Sequence, residues 1–205
     1  MRNYAHILKE NGVEPSTFLE IGSRDGHCCA TFCSEWGPNP ITPYVIEPSP
    51  HSFSNIKQDY PEFHVFNCAF SDYCGVSKFN NVKTGTVERG MSSLLDRDVY
   101  SELDTEVIEV EVIKGKDFLD QQKINQIDAC KIDVEGNTYQ VLKGFEDDIL
   151  KVRSFHVEAE LVEVWDGQIV YQDIHDLLTS FGYSRYYYTE YNHPTTQCDT
   201  IWIHY

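Results

Sequence analysis

Apolar runs with strand character alternate with amphipathic segments along almost the whole chain, the pattern of a mostly parallel sheet covered by helices on both faces. Residues 3–11 predict a short helix and "TFLEIG" a first strand. Residues 26–36 predict a helix that ends before "GPNP", whose prolines and glycine forbid continuation. "PYVIEP" is a second strand, "HSFSNIKQDY" has apolar positions at helical spacing, and "FHVFNCAF" is a third strand; Gly75 then suggests a turn into an additional short one. Residues 106–113, "EVIEVEVI", alternate strictly, as in a half-exposed strand, and "KDFLDQQ" follows as a short helix. "IDACKID" predicts strand four, "EGNTYQVLKGFEDDIL" a helix and "RSFHVEAEL" strand five. "YQDIHDLLTSFGY" is an amphipathic helix stopped by Gly182. "SRYYYTEY" and "DTIWIHY" predict a closing antiparallel hairpin turning at Asn192, His193 and Pro194. Between these elements, residues 80–106 hold a long segment rich in Gly, Ser and Thr, which predicts a lid-like insertion.

The 205 residues fit a single domain over 1–205, with no repeat, linker or low-complexity tract. No run approaches the ~20 apolar residues of a membrane span, and "MRNYAHILKENG" lacks the apolar core of a signal peptide. A soluble, cytoplasmic protein is therefore expected. The seven cysteines form no C-x-x-C pair and no zinc-like spacing, so free thiols in a reducing compartment are expected. With 33 acidic against 16 basic residues the net charge is −17, which would repel a phosphate backbone and argues against a nucleic-acid partner.

In an open α/β sheet, ligands collect beyond the carboxyl ends of the strands where strand order reverses, and the turn after strand one lies there. That turn reads Glu20, Ile21, Gly22, Ser23, Arg24, Asp25, Gly26. A dinucleotide fingerprint requires G-x-G-x-x-G, whereas the pattern here is E-x-G-x-x-x-G. This spacing resembles the first motif of class I S-adenosylmethionine-dependent methyltransferases, with Glu20, Gly22, Ser23, Asp25 and Gly26 as candidate cofactor contacts. Glu47 ends strand two, 25 residues past Gly22, where a carboxylate can accept both hydrogens of a ribose diol; Pro48 is its neighbour. Ser71 and Asp72 lie just past strand three, where methyltransferases commonly place an acceptor for the adenine amino group.

"EPSPHSF", "CAFSDYCGVSKF", "GMSSL" and "ACKIDVEGNTYQVLKGF", in that order, resemble the signature segments of the FkbM-type methyltransferase family. The resemblance runs from about residue 17 to about residue 182, and D-V-E-G-x-x-x-x-V-L-K-G is its most specific block. One departure is "EIGSRDG", where relatives more often carry an Asp, Gly, Ala, Asn run. The resemblance implies a class I methyltransferase fold: a Rossmann-like three-layer αβα sandwich whose seven-stranded, mostly parallel sheet ends in an antiparallel hairpin. It also implies S-adenosyl-L-methionine as cofactor and O-methylation of a sugar, such as a deoxyhexose like rhamnose in a glycan, or of a polyketide or other small molecule. Because such modules occur fused to glycosyltransferases, the chain is also compatible with one module of a longer polypeptide. An NAD-dependent oxidoreductase and a non-catalytic binding module are the competing classes.

Methyl transfer needs an aligned acceptor oxygen and a group to take its proton. Asp133, closing strand four, is the first candidate, with Glu135 beside it. Lys131, in the same apolar strand, would be costly to bury alone and is expected to pair with Asp133 or Glu135. Glu158 and Glu160 are two apart in strand five and so share a face. Three readings stay open for Glu158: a Mg²⁺ site shared with Asp133, direct contact with the acceptor, or a structural ion pair. Ser92 and Ser93 in the insertion are candidate substrate contacts. His27, at the start of the first helix, is read either as a contact to the cofactor carboxylate or as a packing residue, whereas His156, the Cys28–Cys29 pair and the tyrosines at 186, 187, 188 and 191 are more simply read as packing residues.

Overall fold

The computed structural model describes residues 2–37, 40–83, 90–97, 103–192 and 196–205. Parts of the 80–106 insertion (84–89 and 98–102) and the turn at 193–195 lie outside the described residues. Among the described residues, ten strands and six α-helices follow in the order α1 Arg2–Glu10, β1 Thr17–Ile21, α2 His27–Ser34, β2 Thr42–Ile46, α3 Pro50–Asp59, β3 His64–Phe66 and β4 Ala69–Phe70. Then come β5 Gly75–Val82, β6 Thr105–Ile113, α4 Gly115–Gln122, β7 Ala129–Ile132, α5 Thr138–Lys143, β8 Ser154–Glu160, α6 Tyr171–Ser180, β9 Ser184–Asn192 and β10 Thr196–Ile203.

Seven strands form the main sheet in the order β3-β2-β1-β7-β8-β10-β9. All neighbours are parallel except β10, which runs antiparallel to both β8 and β9. The α/β class, the mostly parallel seven-stranded sheet and the C-terminal antiparallel hairpin expected from the sequence are thus observed. The alternation of apolar side chains on β1 and β7 sets up two cores. Phe18 and Ala129 face α1, α2 and α3, where Tyr4, Leu8, Phe32 and Ile56 are buried; Leu19, Ile21, Cys130 and Ile132 face Phe118, Val141, Leu142 and Ile174 from α4, α5 and α6. Strand β1 is therefore buried on both faces, as a central parallel strand requires, with Glu20 its one charged residue.

Two elements differ from the sequence pattern. The run 63–70 is not one strand: β3 joins the main sheet, while β4 pairs with β6 in a separate three-stranded sheet ordered β4-β6-β5. Asn67 marks the break, its amide donating to the carbonyls of Glu47 and Pro48 at 2.9 Å each. The helix expected over 135–150 is two pieces, α5 and a 3₁₀ turn at Glu146–Lys151. The break falls at Glu146, whose backbone is left-handed (φ +51°); Gly144 just before it leaves room for the Ser71 carbonyl oxygen, from which a Cβ would stand 2.1 Å.

Candidate functional site

Strand order reverses between β1 and β7, since β1-β2-β3 proceed one way across the sheet and β7-β8 the other. Backbone bonds lace the strand tips together at this switch point. Gly22 N–H donates to Ile46 O (3.0 Å), Asp133 N–H to Ile21 O (3.0 Å) and Glu47 N–H to Phe66 O (3.0 Å). A cavity of about 650 Å³ opens above them, and its lining includes Gly22, Ser23, Asp25, Glu47, Pro48, Asp133, Glu135 and Glu158. The small sheet closes another side with Phe79, Asn81 and Glu106, and the insertion contributes Gly90, Ser92 and Leu94.

Gly22 is demanded by the protein's own packing. Its φ is +80°, and a Cβ would fall 1.9 Å from the Asp133 carbonyl oxygen, so no side chain fits between the tips of β1 and β7. Gly26, at φ +74°, begins α2, and a Cβ there would press on the Tyr60 ring at 2.9 Å; its role is helix packing away from the cavity wall. Between them, Arg24 holds the left-handed conformation (φ +60°) without being glycine. Glu47 stabilises that turn: its carboxylate accepts from the N–H groups of Ser23 (3.2 Å), Arg24 (2.8 Å) and Ser49 (2.8 Å). The residue expected to hold a ribose diol thus already spends three of about four acceptor positions on backbone. Asp25, one residue before the Gly26 N-cap of α2, accepts from His27 N–H at 3.0 Å.

Glu20 lies beneath the turn, fully buried, accepting from Ser23 Oγ at 2.7 Å. Its other oxygen, which has no hydrogen-bond partner among the described residues, stands 3.8 Å from Nζ of Lys131, the register neighbour of Glu20 on β7. Burial pushes the Glu20 carboxyl up to about 7, against the pull of Lys131 and Ser23. Lys131 also donates to Asp133 Oδ2 at 2.8 Å, as expected of a lysine in an apolar strand. Burial alone would depress its ammonium, but Asp133 and Glu20 outweigh this and hold it above the ordinary lysine range.

At the tips of β7 and β8, one carboxylate oxygen each from Asp133, Glu135 and Glu158 lies within 4.8 Å of the others. The Asp133 charge and then burial push Glu158 up to about 9. Glu135 is also raised well above the carboxylate range, by burial first and then by Asp133 and Glu158. Its aim depends on a left-handed backbone (φ +51°) followed by Gly136 at φ +88°, over which the Trp165 ring packs so closely that a Cβ would meet it at 2.4 Å. Crowded carboxylates of this kind can be neutralised by a shared proton, a cationic ligand or a divalent ion. Beyond that spacing nothing supports the Mg²⁺ reading left open for Asp133 and Glu158.

The remaining candidates, Ser92 excepted, lie apart from the cavity wall. Ser71 is buried at the end of β4, and Asp72 accepts from Lys143 Nζ at 3.2 Å. Glu160 shares a face with Glu158, and Gln197 donates to both (3.4 and 3.3 Å), yet Glu160 itself is buried among Trp165 Nε1 and Gln168 Nε2. Ser92 lines the cavity, although its hydroxyl accepts from Val82 N–H at 2.9 Å. Ser93 is buried, donating to the Glu135 carbonyl at 2.6 Å and accepting from Leu95 N–H at 3.0 Å, so it fastens the insertion to the D-V-E-G turn. Sequence reasoning missed Asn137, which lines the cavity and donates to Phe70 O at 3.2 Å, and the whole contribution of the small sheet. A side-chain amide directly after D-V-E-G was the available signal for Asn137; the sheet gave none, because its pairing is non-local.

This strand order, with a ligand-sized cavity at the switch point, defines the class I methyltransferase fold. The family model for the methyltransferase FkbM domain matches residues 20–185, and the chain belongs to that family. Among solved structures, magnesium protoporphyrin IX methyltransferase from Synechocystis PCC 6803 with bound S-adenosylmethionine is similar at TM-score 0.56 and 9% identity. That match covers 100% of this chain and 77% of that one. The FkbM methyltransferase from Methylobacillus flagellatus KT gives TM-score 0.55 at 13% identity, covering 96% of this chain, which spans only 47% of that protein. M. capricolum TrmK in complex with S-adenosylhomocysteine gives TM-score 0.52 at 10% identity, covering 97% of this chain and 67% of that one. At such identities these likenesses establish the fold. No curated protein matches the sequence. Among the described residues no helix is long and apolar enough to cross a membrane.

Proposed function

We propose that this chain is an S-adenosylmethionine-dependent O-methyltransferase whose acceptor is a sugar hydroxyl, with a deoxyhexose such as rhamnose in a glycan as the leading case. The observation that carries the reading is the convergence of the Gly22 turn, Glu47 and Asp133 on one cavity at the switch point, in a chain of the FkbM family. The residues present suit the cofactor. Ile46, Phe70 and Phe79 offer apolar surface for a purine, Glu47 retains acceptor capacity toward a diol, and the carboxylates at the far end complement a cationic centre. When bound, S-adenosylmethionine supplies an electrophilic methyl group.

The chain's own residues orient and deprotonate. Asp133, held at 2.8 Å by Lys131, is the proposed base for the hydroxyl proton, a role typically worth ~10²–10⁴ in rate. Glu135 and Glu158 are proposed to contact the acceptor's other hydroxyls, and Ser92 lies within reach of the same space. In this reading Ser93 and Glu160 support the site from behind. Incubating candidate glycans with isotopically labelled S-adenosylmethionine, with and without chelator, tests acceptor and metal together. Mass spectrometry should show the mass gain of one methyl group on a sugar oxygen. Transfer only to a polyketide or to nitrogen would replace the sugar assignment, and absence of any cofactor binding would end the methyltransferase reading.

A further inference from the structure

Glu135 reaches the cavity from a backbone conformation that side-chain-bearing residues avoid. Its φ of +51° lies in the left-handed region, where Cβ crowds the carbonyl oxygen that follows, so the turn lasts only where surrounding contacts hold it. The insertion supplies such a contact. Ser93 Oγ donates to the Glu135 carbonyl at 2.6 Å, and the direction of that carbonyl is set by the backbone torsions of Glu135 itself. Ser93 is 1% exposed, and its hydroxyl also accepts from Leu95 N–H at 3.0 Å. A serine hydroxyl has a single hydrogen to donate, and here it is committed to the turn.

The clamp is anchored on its far side. Ser93 exchanges two backbone bonds with Asn80 of β5, at 2.8 and 3.1 Å, and Asn80 Nδ2 donates to Leu95 O at 2.9 Å. Further along, Asp166 N–H donates to Asp96 O at 2.9 Å, and Met91 and Leu95 pack against Val82 and Trp165, the residue whose ring lies over Gly136. The insertion also passes the carboxylate, since a Cβ on Gly90 would stand 4.0 Å from Glu135 Oε1. One segment thus meets Glu135 at its carbonyl and beside its carboxylate, with the small sheet as its support. Residues 90–97 are fastened to both sides of the cavity, in the manner of a strap.

We propose that Ser93 is a positioning residue: anchored on β5, its hydroxyl holds the left-handed turn that aims the Glu135 carboxylate into the cavity beside Asp133 and Glu158. This rests on the reading above in which that carboxylate contacts the acceptor. Without the hydroxyl the Glu135 backbone relaxes out of the left-handed region and turns the carboxylate away from its two neighbours. The opposite end of the cavity, built from the Gly22 turn and Glu47, has no bond to Ser93 and keeps its shape.

Crystal structures of the full chain as wild type, Ser93→Ala and Ser93→Thr, all without ligand, test this. In Ser93→Ala the φ of Glu135 should turn negative and its carboxylate oxygens should lie more than 4.8 Å from those of Asp133 and Glu158. Ser93→Thr keeps the hydroxyl, and threonine suits the extended backbone that pairs with Asn80, so this variant should retain the wild-type turn. A Ser93→Ala structure with turn and carboxylate in place overturns the inference, as does a Ser93→Thr structure that loses them. Calorimetric titration with S-adenosylhomocysteine adds a measurement in solution: the affinity of Ser93→Ala should stay within about twofold of wild type. A greater loss would show the hydroxyl acting on the whole cavity instead of through Glu135, and would also overturn it. Wild-type protein that binds no S-adenosylhomocysteine would remove the proposed function, while the crystal structures would still decide whether Ser93 aims Glu135.

Discussion

The two ends of the cavity treat the same functional group in opposite ways. At the β1–β2 end the buried carboxylate of Glu47 is ringed by three backbone donors and fixes a turn that includes a left-handed arginine. At the β7–β8 end Asp133, Glu135 and Glu158 crowd within 4.8 Å with one lysine among them. Burying a charge costs several kcal/mol unless it is paired or hydrogen-bonded. The first end meets most of that requirement with backbone hydrogen bonds, although burial still pushes the Glu47 carboxyl upward; the second leaves more of it unmet. Folded proteins tolerate unmet polar burial mainly where chemistry or a ligand later satisfies it, which is the basis for proposing the β7–β8 end as the reacting end.

Lys131→Met should have the largest effect, because it strips the sole described cation from between Glu20 and Asp133. Breaking a buried pair costs about 3–5 kcal/mol, and chemical denaturation should show a loss of that order. A loss below 1 kcal/mol would mean that the charged end is not electrostatically stressed. Glu47→Ala comes next. It orphans the Ser23, Arg24 and Ser49 N–H groups and should weaken S-adenosylhomocysteine binding by about 1.5–3 kcal/mol, the range for bonds to a charged group. Unchanged affinity would remove Glu47 from the binding end.

Glu158→Gln sharpens the contrast through pH. Because the folded carboxyl is raised to about 9, the native state holds a proton that the unfolded chain has already lost, so stability is fully present below about 4.5 and is lost as pH climbs through 9. The variant should melt like wild type at pH 5 and about 2–4 °C higher at pH 9, equivalent to ~1 kcal/mol in a chain of this size. Identical melting at both pH values would contradict the crowding. Asp72→Asn should matter least. Its partner Lys143 is 58% exposed, so the pair contributes about 0–1 kcal/mol, and cofactor affinity should stay within twofold in a fluorescence titration. A tenfold loss would restore Asp72 to the purine end.

Much of this contrast was legible in the sequence. Apolar periodicity located the main-sheet strands and the closing hairpin, and Lys131 in an apolar run implied the carboxylate partner it has at Asp133. What was not legible depends on partners far away in the chain. β4 leaves the run at 63–70 because its hydrogen bonds go to Val112 and Ile113, about forty residues on. Ser93 reads as loop polarity, yet it is buried because its hydroxyl meets the Glu135 carbonyl. Glu47 could be placed at a strand end from the sequence, but only the folded turn shows that backbone N–H groups converge on it.

The central claim is that one cavity at the tips of β1, β2 and β7 receives the methyl donor. A crystal structure of the chain with S-adenosylhomocysteine tests it most directly. The account predicts the ligand over the Gly22 turn, between Glu47 and Asp133, with its sulfur toward Asp133, Glu135 and Glu158. A ligand bound elsewhere, or within the cavity but with its sulfur directed away from those three carboxylates, would contradict it.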